Sequence, residues 1–197
     1  FDSDVQRVTG QRVYNEVGLT KPMNWTAGFF RPTVKYRSVN YELDRPFTEL
    51  DTSPSAGSLM TSLDAGLIFE RQTRLFGQSM TQTLEPRVYY LYSQYEEQRY
   101  QPDFDSAELT FSYGQLFRDT RFSGNDRLDD ANQLSVGVTS RYFDNETGEE
   151  KLSASLGQIY YFRDQEVRLN PGDPVLAEAT SPLAAEFTWS PSQKWKL

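Results

Sequence analysis

Histidine and cysteine, the side chains most often used for acid–base, nucleophilic and metal chemistry, do not occur in this chain of 197 residues. The chain therefore has no Ser–His–Asp or Cys–His arrangement, no disulfide and no thiolate metal site. Carboxylates remain as candidates, and adjacent pairs stand at Glu96 and Glu97 and at Glu149 and Glu150. Paired acids hydrolyse glycosides only inside a cleft, and both pairs lie in predicted loops. We predict that the chain is not an enzyme and that it holds no cofactor or metal.

The densest group of charges lies between residues 118 and 130, in a predicted connection. Its arginines could bind phosphate or could form salt bridges with the neighbouring aspartates. Because four aspartates stand among the three arginines, we favour a loop charge network, and the spacing is not that of a calcium-binding loop. The predicted network consists of Arg118, Arg121, Asp126, Arg127, Asp129 and Asp130, with Asp119 beside them. The net charge of −8 argues against nucleic acid as a partner.

A second group of polar side chains lies within segments where apolar and polar residues alternate. Glu85 and Arg87 are two residues apart on one predicted strand face, so a same-face ion pair is one interpretation. The other is that this face borders water in a wide lumen, because an Arg or Lys at the bilayer midplane costs roughly 2–4 kcal/mol. The candidate lumen-facing residues are Glu85, Arg87, Tyr89, Gln133, Arg141 and Lys151. For each of them, a hydrated wall without a specific role is the simpler interpretation.

Alternation with a period of two runs through most of the chain and predicts β-strands. Strong patterns cover residues 57–70, 80–93, 132–143 and 151–162, and weaker ones cover residues 11–20, 25–41, 108–117 and 183–190. Pro32 and Pro86 cannot donate to a strand ladder, so we expect a bulge at residues 29–32 and a similar disturbance at Pro86. The predicted fold is all-β, an antiparallel meander of about eight strands.

Short alternating strands also occur in soluble β-sandwiches and barrels, so the pattern alone leaves two environments open. The strands here run to about ten residues or more, a length that crosses a bilayer when tilted. Aromatic residues, 14% of the chain, crowd the strand ends, where partly polar rings suit the membrane–water boundary. No window approaches 18 apolar residues, so no transmembrane helix is predicted. We therefore predict an antiparallel transmembrane β-barrel of the outer-membrane type, in contact with outer-membrane lipids.

A sheet in hydrocarbon must close, because every backbone N–H and C=O has to be paired. Eight strands can close into a small barrel, in which residues 11–20 would pair with residues 183–190. Residues 195–197, however, follow a turn and look like the start of a further strand, which favours a segment of a larger barrel. Strict alternation of the predicted strands leaves long connections at both ends, so it does not indicate which end is extracellular.

Three stretches carry a specific resemblance. They are TQTLEPRVYYLY (residues 81–92), FSYGQLFRDTRFSGNDRLDDANQLSVGVTSRYFD (residues 111–144) and SASLGQIYYF (residues 153–162). This central block resembles the LptD family of LPS-assembly outer-membrane proteins, also called organic solvent tolerance proteins. Residues 11–78 and 170–197 are similar to the family only in the general character of their sequence and carry no specific motif.

The resemblance implies a very large outer-membrane barrel, a plug lipoprotein (LptE) in its lumen and a periplasmic jelly-roll domain that receives lipopolysaccharide. No jelly-roll region is identified in the sequence, so residues 1–197 are expected to form part of one barrel domain, as mid-barrel wall. The implied function is insertion of lipopolysaccharide into the outer leaflet of a bacterial outer membrane, with lipopolysaccharide and LptE as partners.

Two other functions stay open at this point. One is a general porin or a small complete eight-stranded outer-membrane barrel, which the pairing of the terminal strands would reveal. The other is an outer-membrane enzyme such as a lipase or protease, which the absence of histidine disfavours.

Overall fold

The structure, a computed structural model, describes residues 8–44, 52–75 and 77–190. The last predicted strand start, at residues 195–197, lies outside the described residues. Within the described ranges, no helix has the length and apolar character needed to cross a membrane. The elements are β1 (Gly10–Thr20), β2 (Met23–Trp25), β3 (Gly28–Leu43), β4 (Ser55–Leu67), β5 (Phe69–Leu75), β6 (Gln78–Ser93), β7 (Ala107–Glu108), the 3-10 helix η1 (Tyr113–Phe117), β8 (Phe122–Ser123), β9 (Ala131–Asp144), β10 (Glu150–Tyr161) and β11 (Ala184–Trp189).

The long strands form one antiparallel sheet in the order β1-β3-β4-β6-β9-β10-β11, with β2 added to β3 and β5 added to β6. Each long strand pairs with the next long strand along the chain, so the all-β antiparallel prediction is confirmed. In the described part of the chain β1 pairs only with β3 and β11 pairs only with β10. The sheet is therefore open at both edges, and the β1–β11 pairing that a small closed barrel requires is not present among these residues.

One predicted strand, at residues 108–117, is wrong. Only Ala107–Glu108 is extended there, as the short strand β7, and the 3-10 helix η1 follows at Tyr113–Phe117. Residues 94–130 are consequently one long connection between β6 and β9 rather than two loops separated by a strand. The sequence pattern misled because aromatic and apolar residues here pack against the sheet instead of joining it.

Removing that strand places every long connection at one end of the sheet. At this end, the long-connection end, β3 ends and β4 begins, and it carries residues 94–130 and 162–183. The opposite short-turn end carries residues 21–27, residue 77 and residues 145–149. At the last of these turns Gly148 has φ 73°, a left-handed conformation that glycine adopts without a steric penalty. The apparent conflict in loop placement came from the extra strand.

Two prolines were expected to disturb the sheet, and the structure gives different outcomes for them. The β3–β4 register runs unbroken through Pro32↔Leu63, so the bulge expected at residues 29–32 is absent from the described ladder. Pro32 accepts a hydrogen bond from Lys21 N but has no N–H to return, and β1 ends there. The pairing of β4 with β6 ends at Arg87, and the pairing of β5 with β6 begins at Leu84, so Pro86 lies opposite the break between β4 and β5.

One face of the sheet, which we call the apolar face, carries large aliphatic side chains exposed to the surroundings. Val17 is 74% exposed, and Val34, Leu63, Leu84 and Leu156 are each between 40% and 46% exposed. No second layer of described residues packs on these side chains, unlike in a soluble sandwich, where both inner faces are buried.

Exposed aromatic residues flank the aliphatic band of the apolar face towards both ends of the sheet. Towards the long-connection end they are Tyr36, Tyr92, Tyr160 and Phe162, and towards the short-turn end they are Trp25, Phe69, Phe187 and Trp189. The strand register supports this placement, because Phe69, Leu84, Ser140, Ala154 and Phe187 follow one another across adjacent strands.

The opposite face, which we call the polar face, holds the buried core. Its three buried apolar clusters, as far as the described residues go, combine strand residues with residues of the 94–130 connection or of the strand end beside it. Val39, Met60, Leu91 and Ile159 all lie on the polar face in the half nearer the long-connection end. The core is therefore built between the sheet and a connection that folds back over it.

Candidate functional site: the polar face and its folded loop

Residues 94–130, which we call the folded loop, lie across the half of the polar face nearer the long-connection end. Leu116 of η1 is fully buried and packs with Ile159 and Ala184, while Phe117 packs against the cluster of Met60 and Leu91. The Thr139 hydroxyl donates a hydrogen bond to Tyr113 Oη at 3.0 Å. The folded loop thus covers strands from β3 to β11 and leaves only the short-turn half of the polar face open.

Glu85 and Arg141, two of the predicted lumen-facing residues, form an ion pair between neighbouring strands. The Arg141 Nε atom lies 3.3 Å from Glu85, and its Nη1 atom lies 2.8 Å from Glu150 Oε2. The same-face pair between Glu85 and Arg87 suggested by their spacing is not among the described ion pairs. The register pairs Arg141 with Thr83 and Glu85 with Thr139, so Glu85 and Arg141 are diagonal neighbours on adjacent strands, a separation that a long arginine side chain can span.

Arg87 contacts both a carboxylate and an aromatic ring through its guanidinium group. Its Nε and Nη2 atoms donate to the two Asp64 oxygens at 2.8 and 2.9 Å, a bidentate arrangement. The guanidinium carbon lies 4.2 Å from the centre of the Phe117 ring, within cation–π range. Arg87 therefore links the wall of the sheet to the folded loop.

The remaining predicted wall residues are placed differently from one another. Tyr89 is buried in the cluster under Phe117, and Gln133 is buried and accepts a hydrogen bond from Gln165 Nε2 at 3.1 Å. Lys151 stands at a register shift between β9 and β10 and donates to Glu149 at 2.7 Å. All six candidates lie on or beside the polar face, and their exposure to a lumen stays a prediction.

Asp126 is the most highly connected carboxylate of the folded loop, and its side chain is 0% exposed. Its oxygens accept hydrogen bonds from Arg12 Nη1 (2.7 Å), Tyr41 Oη (2.9 Å), Phe104 N (2.9 Å), Asp105 N (3.0 Å) and Ser106 Oγ (3.1 Å). Burial by itself disfavours the charged carboxylate, but the backbone donors and the Arg12 guanidinium outweigh it and hold the pKa of Asp126 well below its ordinary value. Asp126 therefore ties the loop to β1 and β3 as an anion.

Asp119 provides a second attachment of the folded loop to the sheet. Its carboxylate lies 3.0 Å from Lys35 Nζ and 3.5 Å from Arg37 Nη2, and Lys35 also contacts Glu16 at 2.9 Å. Burial opposes ionisation of Asp119, yet the charges of Arg37 and Lys35 outweigh it, so the pKa of Asp119 is lowered. Sequence reasoning missed these strand residues as loop partners, although they share the polar-face parity of β1 and β3.

Asp129 and Asp130 connect the folded loop to the connection at residues 162–183, which we call the second loop. Arg121 contacts Asp129 at 2.9 Å and donates to the Val167 carbonyl at 2.8 Å. Asp130 accepts from the backbone N–H groups of Glu166 and Val167 at 3.1 and 3.0 Å. The two long connections therefore form one layer over the polar face.

The two other arginines of the predicted network do not pair with its aspartates. Arg127 donates to backbone carbonyls of Gln101, Pro102, Asp126, Arg168 and Leu169 at 2.7 to 3.3 Å. Arg118 lies at the mouth of a cavity between the loops. Of the proposed network, the structure brings together Arg121 with Asp129 and Asp130, while Asp126 pairs with a strand arginine instead.

The arrangement is suited to holding and contacting polar molecules. Across residues 8–44, 52–75 and 77–190, no group of three or more acidic side chains is placed to hold a metal ion. The open half of the polar face presents Arg31, Arg87 and Arg141 together with Glu85 and Glu150, each at least partly exposed. Fixed charges of both signs beside hydroxyl-bearing strands provide hydrogen-bonding partners for a polar surface or solute.

An antiparallel meander with one exposed apolar face and one charged face defines a class, the amphipathic sheets typical of β-barrel families. Within it, the family described as "LptD: LPS transport system D" matches residues 1–197. The chain belongs to this family, and the resemblance found in the sequence is confirmed.

Curated relatives support the same assignment along nearly the whole chain. The LPS-assembly protein LptD of Hahella chejuensis is 43% identical over 190 residues, which is 96% of this chain and 24% of the relative. The proteins of the same name from Xanthomonas oryzae pv. oryzae and Ectopseudomonas mendocina are 47% and 39% identical, over 82% and 98% of this chain and 20% and 23% of the relatives. The chain spans about a quarter of the length of these relatives.

Proposed function

We propose that the chain forms part of the wall of an outer-membrane β-barrel that assembles lipopolysaccharide into a bacterial outer membrane. The observation that carries this proposal is the two-faced sheet: an exposed aliphatic band between aromatic rows on one side, and a charged, loop-covered face on the other. Six of its strands, β1, β3, β4, β6, β9 and β10, are 11 to 16 residues long, which reaches the length needed to cross a bilayer at a tilt. The relatives named for LPS assembly support the choice of cargo.

The placement of the connections supports an orientation for this wall. Outer-membrane barrels have short periplasmic turns and longer extracellular loops. We therefore assign the long-connection end, with the folded loop and the second loop, to the extracellular side. The short turns at residue 77 and at residues 145–149 then face the periplasm.

The polar face supports a division of roles between its two halves. The extracellular half is occupied by the chain's own folded loop. The periplasmic half leaves Arg31, Arg87 and Arg141 accessible, and we propose that this half meets the saccharide and phosphate groups of lipopolysaccharide and the plug lipoprotein LptE. The open edges at β1 and β11 are proposed to pair with neighbouring strands of the complete barrel, since lipid tolerates no unpaired sheet edge.

Arginine substitution at two depths of the apolar face tests membrane contact. Leu63 lies in the middle of β4 and Leu59 lies opposite Tyr36, in the aromatic row. An arginine costs roughly 2–4 kcal/mol at a bilayer midplane and about 0–1 kcal/mol near the interface. We expect Leu63→Arg to reduce strongly the folded, heat-modifiable protein in outer membranes, and Leu59→Arg to reduce it little. Equal, small effects at both depths would contradict a lipid-facing sheet.

Contact with the cargo is tested by a photo-crosslinking amino acid placed at Arg141, with Glu146 in the short turn as the control position. Both side chains lie towards the short-turn end, but only position 141 belongs to the polar face. We expect lipopolysaccharide adducts at 141 that depend on continuing LPS synthesis, with few at 146. Adducts at 146 equal to those at 141 would refute a specific path along this face.

A further inference from the structure

Small side chains on neighbouring strands leave an open hollow of about 440 Å³ in the apolar face, towards its β11 edge. The small residues are Ser140, Ala154 and Ala185, and the larger apolar residues around them are Leu84, Val138, Leu156 and Phe187. The register sets all of them in two adjoining rows across β6, β9, β10 and β11. A hollow with this lining offers van der Waals contacts to a hydrocarbon chain.

One acidic residue, Glu186, also borders the hollow. It lies directly opposite Ser155, whose hydroxyl is 2.9 Å from Thr139 Oγ1 on the polar face. Because directly opposed residues share one face of a sheet, the Glu186 side chain belongs to the polar face. The side chains that the apolar face itself contributes to the hollow are therefore uncharged.

A cation lies beside the hollow, on the side nearer the short-turn end. Arg71 of β5 is exposed and pairs in register with Gln82, while Phe69 pairs with Leu84 at the edge of the hollow. Positions two residues apart share a face, so Arg71 and Gln82 lie on the apolar face, one row closer to the short turns. The Arg71 Nε atom donates to Gln82 Oε1 at 2.6 Å.

Gln82 connects this arginine to the hollow. Its Nε2 atom donates to Ser140 Oγ at 2.9 Å, and Ser140 Oγ donates in turn to the Thr83 carbonyl at 2.9 Å. The direction of these two bonds fixes the Gln82 amide with its oxygen towards Arg71. The guanidinium is thus held through Nε at the edge of the hollow, and its Nη1 and Nη2 groups are left to face outwards.

The Nη groups of Arg71 have no acceptor among the residues that the structure describes, and no carboxylate there lies within ion-pair distance. The adjacent acid, Glu70, lies opposite Thr83 on the polar face. Asp144, at the end of β9, accepts from two N–H groups of the short turn. An arginine on a lipid-facing surface extends its charged end to headgroup level, where its paired Nη groups match a phosphate.

We propose that this part of the apolar face binds one phospholipid of the leaflet that faces the periplasm. The phosphodiester meets the Nη groups of Arg71, and one acyl chain lies in the hollow over Ala154, between Leu84 and Phe187. Headgroup and chain then point in the directions that this leaflet requires. Anionic phosphatidylglycerol is preferred to phosphatidylcholine, whose own ammonium group offsets the phosphate charge. The proposal rests on the wall and the orientation proposed above.

Two photoreactive lipids test the site on the unmodified full-length protein that contains these residues. Each carries a diazirine in one acyl chain, and they differ only in their headgroups, phosphatidylglycerol or phosphatidylcholine. The protein is illuminated in phosphatidylcholine nanodiscs with a trace of either probe, and labelled peptides are quantified by mass spectrometry. Leu63, 45% exposed in the middle of β4 and away from the hollow, is the internal reference. We expect the ratio of phosphatidylglycerol to phosphatidylcholine labelling to be about two- to fivefold higher at Leu156 and Phe187 than at Leu63.

Three variants assign this preference to its residues. Arg71→Gln should lower the ratio at the hollow to its value at Leu63. Arg74→Gln is the matched control, because Arg74 is an exposed arginine of the same strand whose register partner, Ser79, has polar-face parity, and it should change nothing. Ala154→Leu fills the hollow and should reduce phosphatidylglycerol labelling of Phe187 relative to Leu63.

Three results would overturn the site. They are equal labelling ratios at the hollow and at Leu63 in the unmodified protein, an Arg74→Gln effect as large as that of Arg71→Gln, and unchanged labelling of Phe187 in Ala154→Leu. Each of them, with Leu63 still labelled, leaves the lipid-facing wall in place. Absence of labelling at Leu63 and at the hollow alike would refute the wall and the site together, so the two ideas fail in different ways.

Discussion

The substitution Asp126→Asn is expected to release the folded loop from the sheet. Oδ1 of Asp126 accepts from Arg12 and Tyr41, while Oδ2 accepts from the N–H groups of Phe104 and Asp105 and from Ser106 Oγ. Asparagine has one acceptor oxygen, so in either orientation its NH₂ group faces donors. Arg12 retains Asp105 at 2.6 Å, which limits the loss. Removing one partner of a buried charged pair costs up to about 5 kcal/mol and a charged hydrogen bond about 1.5–3 kcal/mol, so we expect about 3 kcal/mol here.

Hydrogen exchange of loop amides in the full-length protein measures this loss. A change of about 3 kcal/mol in the free energy of loop opening corresponds to roughly 100-fold faster exchange. The informative amides are those of Leu109 and Leu128, which donate within the loop to Arg121 O and Gln98 Oε1 and do not touch Asp126. Glu97→Gln is the control, because Glu97 is an exposed acid of the same loop that accepts from Arg99 N and Tyr95 Oη.

Two results would refute the reasoning. Unchanged exchange at Leu109 and Leu128 in Asp126→Asn would mean that the loop is held by its apolar contacts alone. An equal acceleration in Glu97→Gln would mean that any loss of a carboxylate from the loop loosens it.

Three further predictions concern the same layer. The pKa values of Asp126 and Asp119 are lowered in the folded protein, so protection of the loop amides should be constant from pH 7 to pH 5. Protection should fall only as the pH drops below the ordinary aspartate pKa of 3.8 towards the folded pKa values. A loss of exchange protection already at pH 6 would contradict this sign. Leu116→Ala removes a fully buried side chain from between Ile159 and Ala184 and should cost about 2–5 kcal/mol, seen as rapid proteolysis at Arg118 and Arg121, whereas truncation of the exposed Leu183 should leave cleavage unchanged. Gly157→Ala places a Cβ 2.7 Å from the Val136 carbonyl oxygen and should destabilise the protein by about 1–3 kcal/mol, which lowers its unfolding temperature. Gly172→Ala is the control, because nothing lies within 4 Å of its Cβ, and it should leave the unfolding temperature unchanged. Equal unfolding temperatures of the two proteins would refute the close approach at Gly157.

The strand pattern could be read from the sequence because each strand has two different surroundings. In residues 80–93 and 132–143 the apolar alternate positions lie on one face of the sheet and the charged alternate positions lie on the other. The strands β6 and β9 follow these ranges to within two residues. Family membership was also recognisable from the central block of residues 81–162, since its motifs are long and specific.

The one strand that failed shows where local pattern stops being informative. Residues 108–117 alternate acceptably, but Leu116 is buried against Ile159 and Ala184, and the half-buried Phe117 packs on the cluster of Met60 and Leu91, so this segment packs on the face of the sheet and does not join its ladder. The sequence did contain a signal, because Met60, Leu91 and Ile159 are apolar residues at alternate positions that otherwise hold polar side chains. They mark where the polar face is covered, but the covering segment is far away in sequence.

Residue type and spacing by themselves determined the antiparallel strands, their two faces, the absence of histidine and cysteine chemistry and the family. Only the tertiary structure decided that the long connections share one end, that residues 94–130 fold back over the polar face, and that Asp126 and Asp119 pair with Arg12, Lys35 and Arg37. The physical reason is range: alternation is a property of adjacent residues, whereas the partner of a buried charge is chosen by whichever opposite charge the folded chain brings within hydrogen-bonding distance.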